Sequence, residues 1–255
     1  MTVTGGVIYP VVFHQLQPRT GFGWATRVIA FIMLGTSIVS LTVMRQRISA
    51  PALRKLFDLA AFKEMPYLFF SLGEFFGFMG IYVAFFYVQL YAVQKGNTNF
   101  NLAFYMLSIL NASSFFGRIV PNFFADKIGP LNMQIPFALI TALLAFCWIA
   151  IKDTAGLIVF CVLYGFFSGT FVSLPGPTVL SLSPNMGTVG TRIGMSFAFG
   201  GFGLLVGNPV AGAILRNQGS WVGLQAWSGA SVAIAALCML IARITKVGPG
   251  LKAKA

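Results

Sequence analysis

The feature that most constrains this chain is a charge inside an apolar helix. Residues 100–130, FNLAFYMLSILNASSFFGRIVPNFFADKIGP, read as one hydrophobic helix carrying Arg118 well before the polar exit at Asp126-Lys127-Ile128-Gly129. An arginine near the middle of a bilayer costs about 2.5–3.5 kcal/mol even on the lenient insertion scale. It therefore faces a partner or a wet cavity, or sits close enough to a helix end to snorkel to the headgroups. At about 100° per residue, Ser114 lies about 40° to one side of Arg118 and Asn111 about 20° to the other. Arg118, Ser114 and Asn111 thus form one polar stripe opposite a face of Leu, Ile and Phe, and they are the first candidate functional residues.

Six further runs join this one as candidate spans of ~30 Å of hydrocarbon. Together the seven cover residues 24–44, 66–93, 100–124, 133–151, 156–180, 193–215 and 225–242. An eighth run, 5–16, is too short to span and reads as the end of a longer helix. With 57% hydrophobic and 9% charged residues, a chain of 255 residues cannot clothe a soluble globule, so an all-α, multi-pass membrane protein is expected. The net charge of +12 would suggest a nucleic-acid partner in a soluble protein. Here the Lys and Arg residues cluster between apolar runs, so the expected partner is the lipid bilayer and not nucleic acid.

Orientation follows from counting those cations in alternate connections. One side holds Arg45, Arg47, Arg54, Lys55, Lys63, Lys127, Arg192 and the tail residues Arg243, Lys246, Lys252 and Lys254, eleven in all, and the other holds five, Arg19, Arg27, Lys95, Lys152 and Arg216. The C-terminus is expected to be cytoplasmic. The basic connection 45–65, partly amphipathic through Leu53, Leu56, Phe57, Leu59 and Phe62, is expected along the inner membrane surface.

Of the five acids, Asp58 and Glu64 fall in that connection, Asp126 at a helix exit and Asp153 in an outer turn, which leaves Glu74 as the one deep in an apolar run. It lies about eight residues, or ~12 Å, inside its helix. Arg118 lies a similar distance before Asp126 on the next, antiparallel helix, so the two charges are expected at similar depth. Either they pair, directly or through water, or Glu74 is a neutral acid hydrogen-bonded to a neighbouring helix. Pro175-Gly176-Pro177 and Gly207-Asn208-Pro209 are expected to kink or unwind their helices, which points to Pro175, Pro177, Asn208 and Pro209 as helix-break residues of the kind found in transporters. Gly73/Gly77, Gly165/Gly169 and Gly203/Gly207 permit close helix contact, as static packing or as moving interfaces.

No enzyme chemistry is expected. His14 is the single histidine, paired catalytic carboxylates and HExxH spacing are absent, and no Walker-type loop cradles ATP. Cys147, Cys161 and Cys238 fall within apolar runs without metal-site spacing, so neither a metal nor a cofactor is expected.

SILNASSFFGRIVPNFFADKIGP resembles the eighth membrane helix of monocarboxylate-transporter-like members of the major facilitator superfamily, particularly their fungal branch. GEFFGFMGIYVAFFYVQLYAV resembles the seventh helix, LLVGNPVAGAILRNQGSW the end of the eleventh, and FGWATRVIAFIM the sixth. The resemblance implies the C-terminal part of a twelve-helix bundle made of two six-helix halves. Residues 1–44 would be a remnant of the first half (the end of helix five, then helix six), 45–65 the cytoplasmic connection, 66–243 the second half and 244–255 a cytoplasmic tail. It implies a secondary active transporter of a monocarboxylate or related small organic metabolite, proton-coupled in its full-length form, in the plasma or vacuolar membrane. Arg118 would bind the substrate carboxylate, and Gly117, Asp126, Lys127 and Gly129 would form the cytoplasmic motif between helices eight and nine. Animal members carry an aspartate one turn before the arginine, where this chain has Ser114, which makes Glu74 the candidate proton-coupling residue. Because the resemblance begins within helix five, the N-terminal transporter half is expected as a missing partner. The alternative readings are a seven-helix receptor or scaffold, from the number of complete runs, and a nonfunctional truncated transporter fragment.

Overall fold

Inside lipid no water satisfies the backbone, so runs like these have helices as their route across. The computed structural model describes residues 2–45, 57–95 and 98–248. Among the described residues the chain forms eight α-helices, two short 3-10 helices (Leu59–Lys63 and Trp148–Ala150) and no strand: α1 Thr2–Val43, α2 Met65–Gln94, α3 Phe100–Ile128, α4 Pro130–Cys147, α5 Thr154–Ser173, α6 Pro175–Leu182, α7 Val189–Gln218 and α8 Trp221–Val247. They supply seven segments long and apolar enough to cross a membrane, α5 and α6 together making one of them. The chain is an all-α, integral, multi-pass membrane protein.

Two compact units divide the chain, the first ending at Arg54. Its helix, α1, leaves helical geometry at Gly21 (φ 78°, ψ 166°), a backbone conformation open to a residue without a Cβ. The short run 5–16 and the long run 24–44 lie on either side of that glycine. Residues 46–56, which include Arg47, Leu53, Arg54, Lys55 and Leu56 of the amphipathic connection, lie outside the described residues, as do Lys252 and Lys254 of the tail. Of the remaining apolar residues in the connection, Phe57 and Leu59 are exposed, whereas Phe62 packs against the core.

In the second unit α2 is the central element, packed along α8 and α7, while α3 lies along α5 and α4 along α8. Small residues set these separations. A Cβ on Gly203 would stand 2.0 Å from the Phe75 carbonyl oxygen, and one on Gly207 2.2 Å from that of Met79, so α2 and α7 touch backbone to backbone. Gly165 and Gly169 do the same for α5 on α3, against the carbonyls of Leu110 (2.3 Å) and Ser114 (2.5 Å). Gly73 and Gly77 receive Met239 and the Phe171 ring. The core forms two apolar clusters, one around Tyr67, Phe70, Phe171 and Met239, the other around Tyr91, Trp148, Phe160 and Trp221. Outside it, Phe86, Phe116, Phe123, Leu143, Phe202 and Leu205 are exposed, as suits lipid-facing surface.

The two proline-containing breaks behave differently. At Pro175 the helix is interrupted, with Leu174 between α5 and α6. At Asn208-Pro209 the helix does not unwind, because α7 runs through Pro209 without interruption. The contact of Gly207 with α2 and a hydrogen bond from the Tyr87 hydroxyl to the Asn208 carbonyl (3.3 Å) hold that turn in place.

Candidate functional site

Gly117 decides how Arg118 is presented. Its Cα packs so closely on α5 that an added Cβ would meet the Phe166 carbonyl oxygen at 1.9 Å, and its own carbonyl accepts a hydrogen bond from Thr170 Oγ1 at 2.7 Å. Arg118, the next residue, comes within electrostatic reach of the Tyr82 hydroxyl on α2. It is half-buried, and its Nε is shielded from solvent with no hydrogen-bond partner among the described residues. Tyr82 stacks on Phe78 (centroids 5.8 Å apart) and tilts against Phe85 (5.4 Å). A guanidinium with a donor that the protein leaves unpaired can take an anionic group.

The rest of the polar stripe is less open. Asn111 is half-buried and donates through Nδ2 to the Leu107 carbonyl of its own helix (3.0 Å). Ser114 is fully buried in the seam where Gly169 lets α5 close against α3, and its hydroxyl has no partner. The side-chain periodicity that aligns Ser114 with Arg118 is blind to that seam, which closes Ser114 to a ligand in this conformation. Asp126 and Lys127 are exposed on the last turn of α3, and Gly129 (φ 104°) makes the turn into α4.

Glu74 is also fully buried, but no ion pair joins it to Arg118 among the described residues, which corrects the direct pairing. Shared depth fixes height along the membrane normal and not direction around the helix. Gln134 of α4 donates to Glu74 Oε1 at 3.1 Å, and Gln134 Oε1 accepts from Thr178 Oγ1 of α6 at 3.0 Å. Glu74 Oε2 is buried without a hydrogen-bond partner among the described residues. The reading in which Glu74 bonds to a neighbouring helix describes this geometry.

Sequence reasoning missed Gln134, Thr178 and Tyr82, and treated Arg192 only as a topological charge. Arg192, at the start of α7, holds Asp58 through Nε (2.9 Å) and Glu64 through both terminal nitrogens (2.8 and 2.6 Å), and its carbonyl accepts from the Tyr67 hydroxyl (2.8 Å). Among the described residues no group of His, Cys, Asp and Glu could hold a metal ion, and the three cysteines are free.

No protein-family model matches the chain. It is 43% identical to the MFS-type transporter dbaD of Emericella nidulans over 93% of this chain and 54% of that protein. It is 42% identical to the aspyridones efflux protein apdF of the same organism, over 89% of this chain and 46% of that protein. With the agnestins efflux protein AgnL12 of Paecilomyces divaricatus it shares 36% identity over 98% of this chain and 57% of that protein. The chain spans about half the length of the curated relatives it matches. Among solved structures, the E. coli fucose:proton symporter FucP superimposes with a TM-score of 0.63 at 20% identity, over 87% of this chain and 54% of that one, a likeness of fold.

Proposed function

From homology to transporters of the major facilitator superfamily over 93% of the chain, we propose that this protein supplies the C-terminal part of a solute transporter that moves a small organic acid or related metabolite. The observation that carries this reading is Arg118, a half-buried cation within a membrane span whose Nε has no hydrogen-bond partner among the described residues. Once helix movement opens the shielded Nε, a substrate carboxylate would supply the missing acceptor, with the Tyr82 hydroxyl within electrostatic reach. Two relatives are named for efflux, which favours outward transport, across the plasma or the vacuolar membrane. A second six-helix half would complete the site, since alternating access works by rocking one half against the other. The C-terminus and the 45–65 connection are cytoplasmic in this reading. The Arg192 ion cluster supports it by joining residues of that connection to the start of α7. Glu74, the one acid deep in an apolar span, is the proton-coupling residue.

The test is flux in membranes where the chain is paired with an N-terminal half from a related transporter. Arg118→Ala should lower flux of a small organic acid by about 10–100-fold, the range of one hydrogen bond to a charged group. Arg118→Lys keeps the charge but loses the planar fork, and should fall in between. Unchanged flux in Arg118→Ala removes Arg118 from the site.

A further inference from the structure

Pro175 has no N–H, so the carbonyl of Phe171, four residues earlier, lacks the donor that a continuous helix would give it. Gln134 supplies one. Its Nε2 stands 3.3 Å from the Phe171 oxygen and 3.1 Å from Glu74 Oε1, one hydrogen for each, while its Oε1 accepts from Thr178 beyond the break. A peptide carbonyl can only accept, which fixes the amide with nitrogen towards Phe171 and Glu74. One fully buried side chain thus splints both sides of the helix break and holds the buried acid.

The same turn of α5 reaches the arginine. Thr170, adjacent to Phe171, donates to the carbonyl of Gly117, which precedes Arg118, and Ser173 Oγ shares its hydrogen between the Thr170 carbonyl (3.1 Å) and Asn122 Oδ1 (3.3 Å). Contact is therefore continuous from Glu74 through Gln134 and the last turn of α5 to Gly117 and Arg118.

We propose that Gln134 is a positioning residue that couples Glu74 to the Arg118 site by holding the last turn of α5. This rests on the reading of Glu74 and Arg118 given above. An ionised Glu74 only accepts hydrogen bonds and so requires the Gln134 NH2. A protonated Glu74 also donates, which allows Gln134 to turn its carbonyl towards the acid. That rotation takes the NH2 from the Phe171 carbonyl and deprives Thr178 of its acceptor, so the last turn of α5, which bonds to Gly117 through Thr170, loosens.

Other charges are engaged elsewhere. Helices α4, α5 and α6 contain no Asp, Glu, Lys, Arg or His. On α3, Arg118 is within electrostatic reach of Tyr82, and Asp126 and Lys127 are exposed at the helix end. On α7, Arg192 is held by Asp58 and Glu64, and Arg216 lies at the opposite end of that helix. On α8, Arg243 donates to Asn132, Lys246 donates to Ser181, and the Cys238 side chain lies against Gly73. The hydroxyls of Tyr67 and Tyr164 donate to the carbonyls of Arg192 and Ile81.

Hydrogen exchange of the purified chain in lipid nanodiscs, read on the peptide 168–182 and corrected for intrinsic rates, tests the proposal at about pH 5 and about pH 9. The parent should exchange about 2–10-fold faster at the lower pH, the range one net hydrogen bond carries. Glu74→Gln, which donates and accepts like the neutral acid, should exchange at the faster rate at both values, as should Gln134→Leu. Thr178→Val, which leaves Glu74 and Gln134 in place, should shrink the step, so the test stands even if Gln134→Leu does not fold. A parent without the step, or a step of full size in Gln134→Leu or Thr178→Val, overturns the proposal. Exchange is read without transport, so a Gln134-dependent step in a chain whose Arg118 variants leave flux unchanged would sink the transport reading and keep the clamp.

Discussion

Two polar centres hang on α2, and they are built from different chemistry. At its start Arg192 grips Asp58 and Glu64, with side chains 5%, 18% and 39% exposed. Further along the helix, the Glu74 centre is closed to solvent and contains one carboxyl, one amide, one hydroxyl and a carbonyl that a proline has orphaned. The difference follows from access to water. At the rim the acids keep part of their hydration, so full charges pair at little desolvation cost. In the interior every polar atom depends on protein partners, and neutral amides and hydroxyls satisfy one another more cheaply than ions do. Against that neutral background, a carboxyl with one unpartnered oxygen is the exception, which is why Glu74 reads as functional and Arg192 as a fastening.

The largest expected effect is a charge reversal in the closed centre. Glu74→Lys would bury an ammonium that Gln134 could meet only by turning its carbonyl away from Thr178, with no acid on α4, α5 or α6 to receive the charge. A buried, unpaired charge costs about 3–5 kcal/mol, enough to lower the yield of folded protein sharply. Thermal unfolding followed by fluorescence-detected size exclusion reads the effect. A variant as stable as the parent would mean that water reaches the site and that the contrast with the rim is false.

Arg192→Ala comes next. It leaves two acids without their partner, but both can rehydrate, so about 1–2 kcal/mol is expected in the same assay. Arg192→Lys should recover only part of this, because a single ammonium cannot reproduce the fork that meets both oxygens of Glu64. A loss exceeding that of Glu74→Lys would reverse the ranking of the two centres.

What was legible beforehand divides along the same line. Hydropathy alone outlines the spans, and Arg118 and Glu74 stand out because charges are rare in such runs. Their partners do not stand out. The bond that Pro175 removes is written in the sequence, since it always belongs to the residue four before, but which helix brings a donor to Phe171 is a tertiary fact. Gln134, one residue into the apolar run 133–151, is that donor, and the run's composition gave no direction for it. Depth was read by counting residues. Facing was not, because the rotation of α2 is set by where Gly203 and Gly207 let α7 approach. Pro209 shows the reverse case, a sequence signal for a break at a point where packing keeps the helix whole.

The smallest effect sharpens the comparison most, because it depends on screening alone. The Debye length falls from about 30 Å at 0.01 M salt to about 3 Å at 1 M, and partly exposed ion pairs weaken with it, whereas buried neutral hydrogen bonds do not. Two double-mutant cycles on unfolding stability separate these cases: Arg192→Ala with Asp58→Ala at the rim, and Gln134→Leu with Thr178→Val in the interior. The rim coupling should start near the upper end of the ~0.2–1 kcal/mol typical of exposed pairs and lose much of that at high salt. The interior coupling should stay constant within error, since neither partner carries a charge and neither is exposed. If the interior coupling falls with salt as the rim coupling does, ions and water reach Gln134. The carboxyl beside it is then open to solvent, and the protein has no need of a clamp to carry the state of Glu74 to Arg118.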